Sequence, residues 1–118
     1  MADLVVLVVE DDVFIRVDAA LMLEDAGFEA LEASNADDAL KLLEARPDIR
    51  IVFTDIEMPG SMNGLRLSFV VRNRWPPIAI IIASGRIQPE PHEMPADVTF
   101  LRKPYSHAAV LEAIKLAA

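Results

Sequence analysis

Leu4-Val5-Val6-Leu7-Val8-Val9 is an unbroken apolar run, mostly β-branched, with Glu10, Asp11 and Asp12 directly behind it. A strand with one face in water alternates apolar and polar residues. A run that does not alternate reads as a strand covered on both faces. This constrains the fold more than any other feature of the chain, because it demands a layer on each side of the sheet. The device recurs. Ile51-Val52-Phe53-Thr54 follows Arg50 and runs into Asp55, then Ile56-Glu57-Met58-Pro59-Gly60 forces a turn. Ile78 to Ala83 is all apolar, too short for a typical helix, and ends at Ser84-Gly85. Thr99-Phe100-Leu101 leads into Arg102-Lys103-Pro104, and Glu29 to Ala33 is a weaker short strand.

Helical patterns fill the gaps. Val13 to Ala26 spaces Phe14, Val17 and Leu21 along one face, and Gly27 suits a C-terminal cap. Ser34 is an N-cap candidate with Asp37 in the first turn; Leu40 and Leu43 form the apolar face, and Pro47 closes the helix. Leu65 to Trp75 is a third helix stopped by Pro76-Pro77, and Ser106 caps a last one carrying Val110, Leu111 and Ile114. No repeat, linker or low-complexity tract interrupts the 118 residues. Alternating strands and helices in one domain predict an α/β fold, a single doubly wound five-stranded parallel sheet with helices on both faces.

Composition narrows the function classes. The chain has no cysteine, so disulfides and thiolate metal sites are excluded. A formal net charge of -8 disfavours direct nucleic-acid binding, which needs a basic surface. No apolar run approaches the roughly 18 residues of a membrane span, and Met1-Ala2-Asp3 lacks the basic start of a secretory signal. The expectation is a cytoplasmic protein with no membrane contact.

In an open parallel sheet, ligands bind beyond the carboxyl ends of the strands. Those ends carry Glu10 and Asp11, Asp55, Ser84 and Lys103. Taken singly, each has an ordinary reading: a solvated aspartate entering a turn, an acidic helix start, a turn serine, a surface lysine. Together they place three carboxylates at one edge if strands one and three are neighbours. Such crowding raises carboxyl pKa values unless a hard cation relieves it. A lysine and a hydroxyl nearby suit a phosphoryl group, and a carboxylate is an established phosphoryl acceptor.

Val8-Val9-Glu10-Asp11-Asp12, Thr54-Asp55-Ile56-Glu57-Met58-Pro59-Gly60, Ile82-Ala83-Ser84-Gly85 and Phe100-Leu101-Arg102-Lys103-Pro104 occur in that order. In these four pieces the chain resembles the response-regulator receiver domain of two-component signalling, over essentially its whole length. The resemblance implies a flavodoxin-like (CheY-like) strand order 2-1-3-4-5 and one receiver domain over residues 1–118 with no output domain. It implies Asp55 as phosphoacceptor, supplied by a sensor histidine kinase or phosphotransfer protein, and a conformational switch read by a downstream protein. Mg2+ would be held by Glu10, Asp11, Asp55 and the backbone carbonyl of Glu57. Ser84 would be the switch hydroxyl, Phe100 the switch aromatic, and Lys103, before a cis proline, the phosphate-pairing lysine. Glu57 and Arg86 would flank the phosphoryl group and modulate its hydrolysis, bridging over it by opposite charge. The chain would be no enzyme in the usual sense, but would carry self-phosphorylation and autodephosphorylation activity.

Two departures from the family stand out. The turn Gly60-Ser61-Met62-Asn63-Gly64 is one residue longer than usual. Between Ser84 and Lys103 the family places a helix; here Pro89, Pro91 and Pro95 interrupt the segment, so that helix should be irregular or a single turn. The rival readings are a receiver-like interaction module that works without phosphorylation, and a small hydrolase with an aspartate nucleophile. His92, His107, Trp75, Tyr105 and the methionines read as surface or packing residues.

Overall fold

The computed structural model describes residues 4–117; Met1, Ala2, Asp3 and Ala118 lie outside the described residues. Five strands form one parallel sheet: β1 Val5–Val9, β2 Glu29–Ala33, β3 Ile49–Asp55, β4 Ala79–Ser84 and β5 Val98–Arg102. Their order is β2-β1-β3-β4-β5, so the chain reverses its direction of winding between β1 and β3. Three helices join successive strands from β1 to β4, α1 Val13–Asp25, α2 Ala36–Ala45 and α3 Gly64–Arg74, and a fourth, α4 His107–Ala117, follows β5.

The unbroken apolar runs feed two cores. Val5, Leu7 and Val9 pack with Val52, Ile80 and Ile82 against Ala39 and Leu43 of α2 and Leu67 and Val71 of α3. Val6 and Val8 point the other way, with Ile51, Phe53 and Ile81, onto Leu23 of α1 and Val110 and Ile114 of α4. Burying one such aliphatic side chain is worth about 1.5–3 kcal/mol, so each central strand anchors both layers. Arg50 is tolerated inside β3 because the register slips there: Val5 pairs with Ile49 and Val6 with Ile51, and Arg50 bulges out to solvent.

Several sequence expectations are corrected. The face of α1 marked by Phe14, Val17 and Leu21 is not the buried one; Phe14 is 83% and Leu21 60% exposed, while Ala19, Ala20, Met22 and Leu23 pack inward. Both faces of α1 carry apolar residues, so spacing alone could not choose between them. Small alanines let the helix axis approach the sheet. The N-cap of α2 is Asn35, not Ser34; its side chain accepts from the Asp38 N–H at 2.8 Å. The cap at Gly27, with φ of 97°, stands as read.

Between β4 and β5, among the described residues, only one 3-10 turn forms, Pro91–Glu93. Three prolines remove donors and clash with the preceding turn, so no α-helix propagates. What fixes this segment instead is Arg72 at the end of α3. Its guanidinium donates to four carbonyls: Pro76 and Ile78 at 2.8 Å, Ala96 at 3.1 Å and Asp97 at 3.2 Å. Asp97 sits there in the left-handed region, at φ 60°. No helix of the described residues is long and apolar enough to cross a membrane.

Candidate functional site

The switch between β1 and β3 brings Glu10 and Asp55 side by side. Asp55 ends β3 and is 6% exposed; Glu10 follows β1 and is 4% exposed. Lys103 follows β5, its N–H bonded to the Ser84 carbonyl at 2.9 Å, and its peptide bond to Pro104 is cis. The ammonium group reaches both acids, 2.7 Å from Glu10 Oε1 and 3.1 Å from Asp55 Oδ1. Asp11 is exposed, yet ligand oxygens of Glu10, Asp11 and Asp55 lie within 4.8 Å of one another.

Burial, and then the neighbouring Glu10 charge, push the Asp55 carboxyl up to about 6, against the pull of Lys103. Burial likewise raises Glu10, with the Lys103 hydrogen bond opposing. Desolvation works against the charge of Lys103, but its bonds to Glu10 and Asp55 outweigh that and raise its pKa. One ammonium therefore does not satisfy the buried pair, and Asp11 sets a third carboxylate beside them. The unmet charge is that of a divalent cation, and the donor set of oxygens without imidazole or thiolate suits a hard one. The residues present fit Mg2+.

Glu57 and Ser84 are joined to each other. The buried Ser84 hydroxyl donates to Glu57 Oε1 at 2.6 Å, and the Arg86 N–H donates to the same oxygen at 2.9 Å. These bonds hold the Glu57 carboxyl low although desolvation opposes them. Arg86 thus meets Glu57 through its backbone. Its guanidinium is in no ion pair among the described residues, so the opposite-charge bridge read from the sequence is not formed here. Phe100 is half-buried against the core that α2 and α3 cover.

Two residues that sequence reasoning missed, Gly64 and Arg16, shape the site, and Tyr105 packs there as read. Gly64 opens α3 with its N–H on the Ile56 carbonyl at 2.9 Å, so close to β3 that a Cβ would run into the Asp55 carbonyl. The Asn63-Gly64 pair was legible as a turn, but not the close approach behind it. Arg16 donates to the Glu10 carbonyl at 3.0 Å and pairs with Glu32 at 3.1 Å, holding the acidic turn after β1. Tyr105 tilts its ring against Phe53, with centroids 5.4 Å apart.

A sheet in this order, with an acidic cradle and a lysine at its switch point, defines a flavodoxin-like domain whose acidic group could hold a hard cation. The chain belongs to the response regulator receiver domain family, whose model matches residues 6–115. It is similar to an NtrX-like response regulator of Rickettsia bellii, 41% identical over 81 residues, which is 68% of this chain and 17% of that protein. The transcriptional regulatory protein PdtaR of Mycobacterium tuberculosis is 34% identical over 115 residues, 95% of this chain and 55% of PdtaR. The chain therefore spans about half, or much less, of the curated relatives it matches. A crystal structure of a response regulator receiver protein from Sinorhizobium medicae has a TM-score of 0.90 at 26% identity, covering 98% of this chain and 94% of that one.

Proposed function

We propose that the chain accepts a phosphoryl group on Asp55 from a histidine kinase or phosphotransfer protein and passes the signal on by a change of conformation. An Asp55 carboxylate oxygen attacks the phosphorus of a phosphohistidine. The P–N bond breaks, the imidazole keeps the electron pair and takes up a proton, and an aspartyl phosphate remains. The observation that carries this reading is the Asp55 carboxylate itself, buried at a strand end with the Lys103 ammonium 3.1 Å away and two further acids around it. Glu10, Asp11, Asp55 and the Glu57 carbonyl would hold Mg2+, which neutralises phosphoryl oxygens when bound. Lys103 pairs with a phosphoryl oxygen, and Ser84 and Phe100 move with it. Attack of water on phosphorus returns the carboxylate, and Glu57 and Arg86 modulate its approach. Small phosphodonors would serve in place of the kinase, which amounts to self-phosphorylation.

A groove of about 480 Å3 beside Lys103, lined by Phe14, Ile15, Asp18, Pro104 and Tyr105, supports docking of a donor protein there. Exposed Phe14 offers it an apolar anchor. The downstream partner would read the segment between β4 and β5 rather than a helix. The test is phosphorylation by acetyl phosphate with Mg2+, read by mass. Wild type gains one phosphoryl group, and Asp55→Asn or EDTA abolishes the gain. Equal incorporation into Asp55→Asn refutes the assignment.

A further inference from the structure

We propose that Glu57 is a positioning residue that holds the Ser84 hydroxyl away from the phosphoryl site until a phosphoryl group expels it. The inference rests on the role given to Ser84 above. A serine hydroxyl has one proton to donate. Here that proton is committed to Glu57 Oε1 at 2.6 Å, a short bond to a carboxylate. The lone pairs of the same oxygen face the Ile87 N–H at 2.9 Å and the Arg86 N–H at 3.3 Å. Arg86 N–H also bonds Glu57 Oε1, so carboxylate, hydroxyl and the start of the β4–β5 segment close into one cluster. For Ser84 to donate to a phosphoryl oxygen, it must first release Glu57. Acceptor and phosphoryl group compete for one proton.

The latch is built to open. Glu57 Oε2 is buried with no hydrogen-bond partner among the described residues, so the carboxylate is held by one oxygen and its other oxygen is desolvated without return. Glu57 stands two residues beyond Asp55, and the Ser84 that it holds follows Ala83, the residue opposite Asp55 in β4. An aspartyl phosphate would replace the single negative charge of the Asp55 carboxylate with a dianion. Like-charge repulsion then favours swinging Glu57 out to water, which frees Ser84 and releases the Arg86 N–H together with it. One event would thus unlock the hydroxyl and the segment that follows it.

Beryllofluoride with Mg2+, a phosphoryl analogue, tests this by titration calorimetry on wild type, Glu57→Gln, Ser84→Ala and the double variant. Losing a charge-assisted acceptor should tighten analogue binding about tenfold in Glu57→Gln. The gain should vanish when Ser84→Ala is also present, because the competition for its proton is gone. An equal gain in both backgrounds would mean that only negative charge was removed, and overturns the latch; so does no gain. Amide spectra of analogue-free Glu57→Gln should show the Arg86 and Ile87 resonances displaced toward their positions in the wild-type complex, which simple loss of repulsion does not require. Unmoved resonances overturn the latch as well. Wild type that binds no beryllofluoride refutes the proposed function, whereas wild-type binding without a Ser84-dependent gain refutes the latch alone.

Discussion

Asp55→Asn should make the metal-free protein more stable at neutral pH, and the size of the gain follows from the site. The Asp55 carboxyl is raised from an ordinary 3.8 to about 6, first by burial and then by Glu10. Between those values the folded state keeps a proton that the unfolded chain has lost, so stability falls as pH rises through this window. A difference of about 2 pKa units at 1.36 kcal/mol each costs the fold about 3 kcal/mol at pH 7. Asparagine has the shape of the protonated acid and never bears the charge. Urea unfolding followed by circular dichroism in EDTA should show the variant about 2–3 kcal/mol more stable at pH 7.5, which is on the order of 10 °C in Tm for a domain of this size. The gap should shrink steadily toward pH 4, where neither side chain is charged in the folded state. Mg2+ should narrow it from the other side by stabilising wild type far more than the variant. Equal stability at pH 7.5, or a gap that ignores pH, would refute the claim that burial and the neighbouring Glu10 charge strain the Asp55 carboxylate.

Other perturbations probe the frame. Gly64→Ala should cost about 3 kcal/mol or more, because the new methyl meets main-chain atoms of Asp55 that cannot rotate aside; urea midpoints measure it. Phe14→Ser should change stability by less than about 0.5 kcal/mol, whereas Leu23→Ala on the opposite side of α1 should cost about 2–5 kcal/mol; the reverse ranking would restore the face read from spacing. Arg72→Met should cost about 2 kcal/mol by stripping four carbonyls of a charged donor, and hydrogen exchange should rise at residues 96–98 before it rises in the central strands.

The sequence by itself determined the layers, the strands and the chemistry at their ends. Runs such as Leu4–Val9 and Ile78–Ala83 contain no polar residue to face water, so two covering layers were unavoidable, and Asp55, Ser84 and Lys103 had to sit where those runs stop. The prolines at 89, 91 and 95 likewise settled locally that no helix would form between β4 and β5, because a missing N–H and a ring clash act within one turn. Only the tertiary structure decided which groups met. Whether Phe14 or Leu23 faces the core depends on the sheet beneath α1, since both of its faces are apolar. That Glu57 bonds the Ser84 hydroxyl rather than the Arg86 guanidinium depends on β3 and β4 lying side by side, which carries residues 27 positions apart to within 2.6 Å. Gly64 is required by a backbone approach across a turn, and Arg72 by carbonyls from two separate segments. Periodicity and capping act over a few residues and are written in the chain; the choice of partner is made by packing, where non-local distances replace sequence separation.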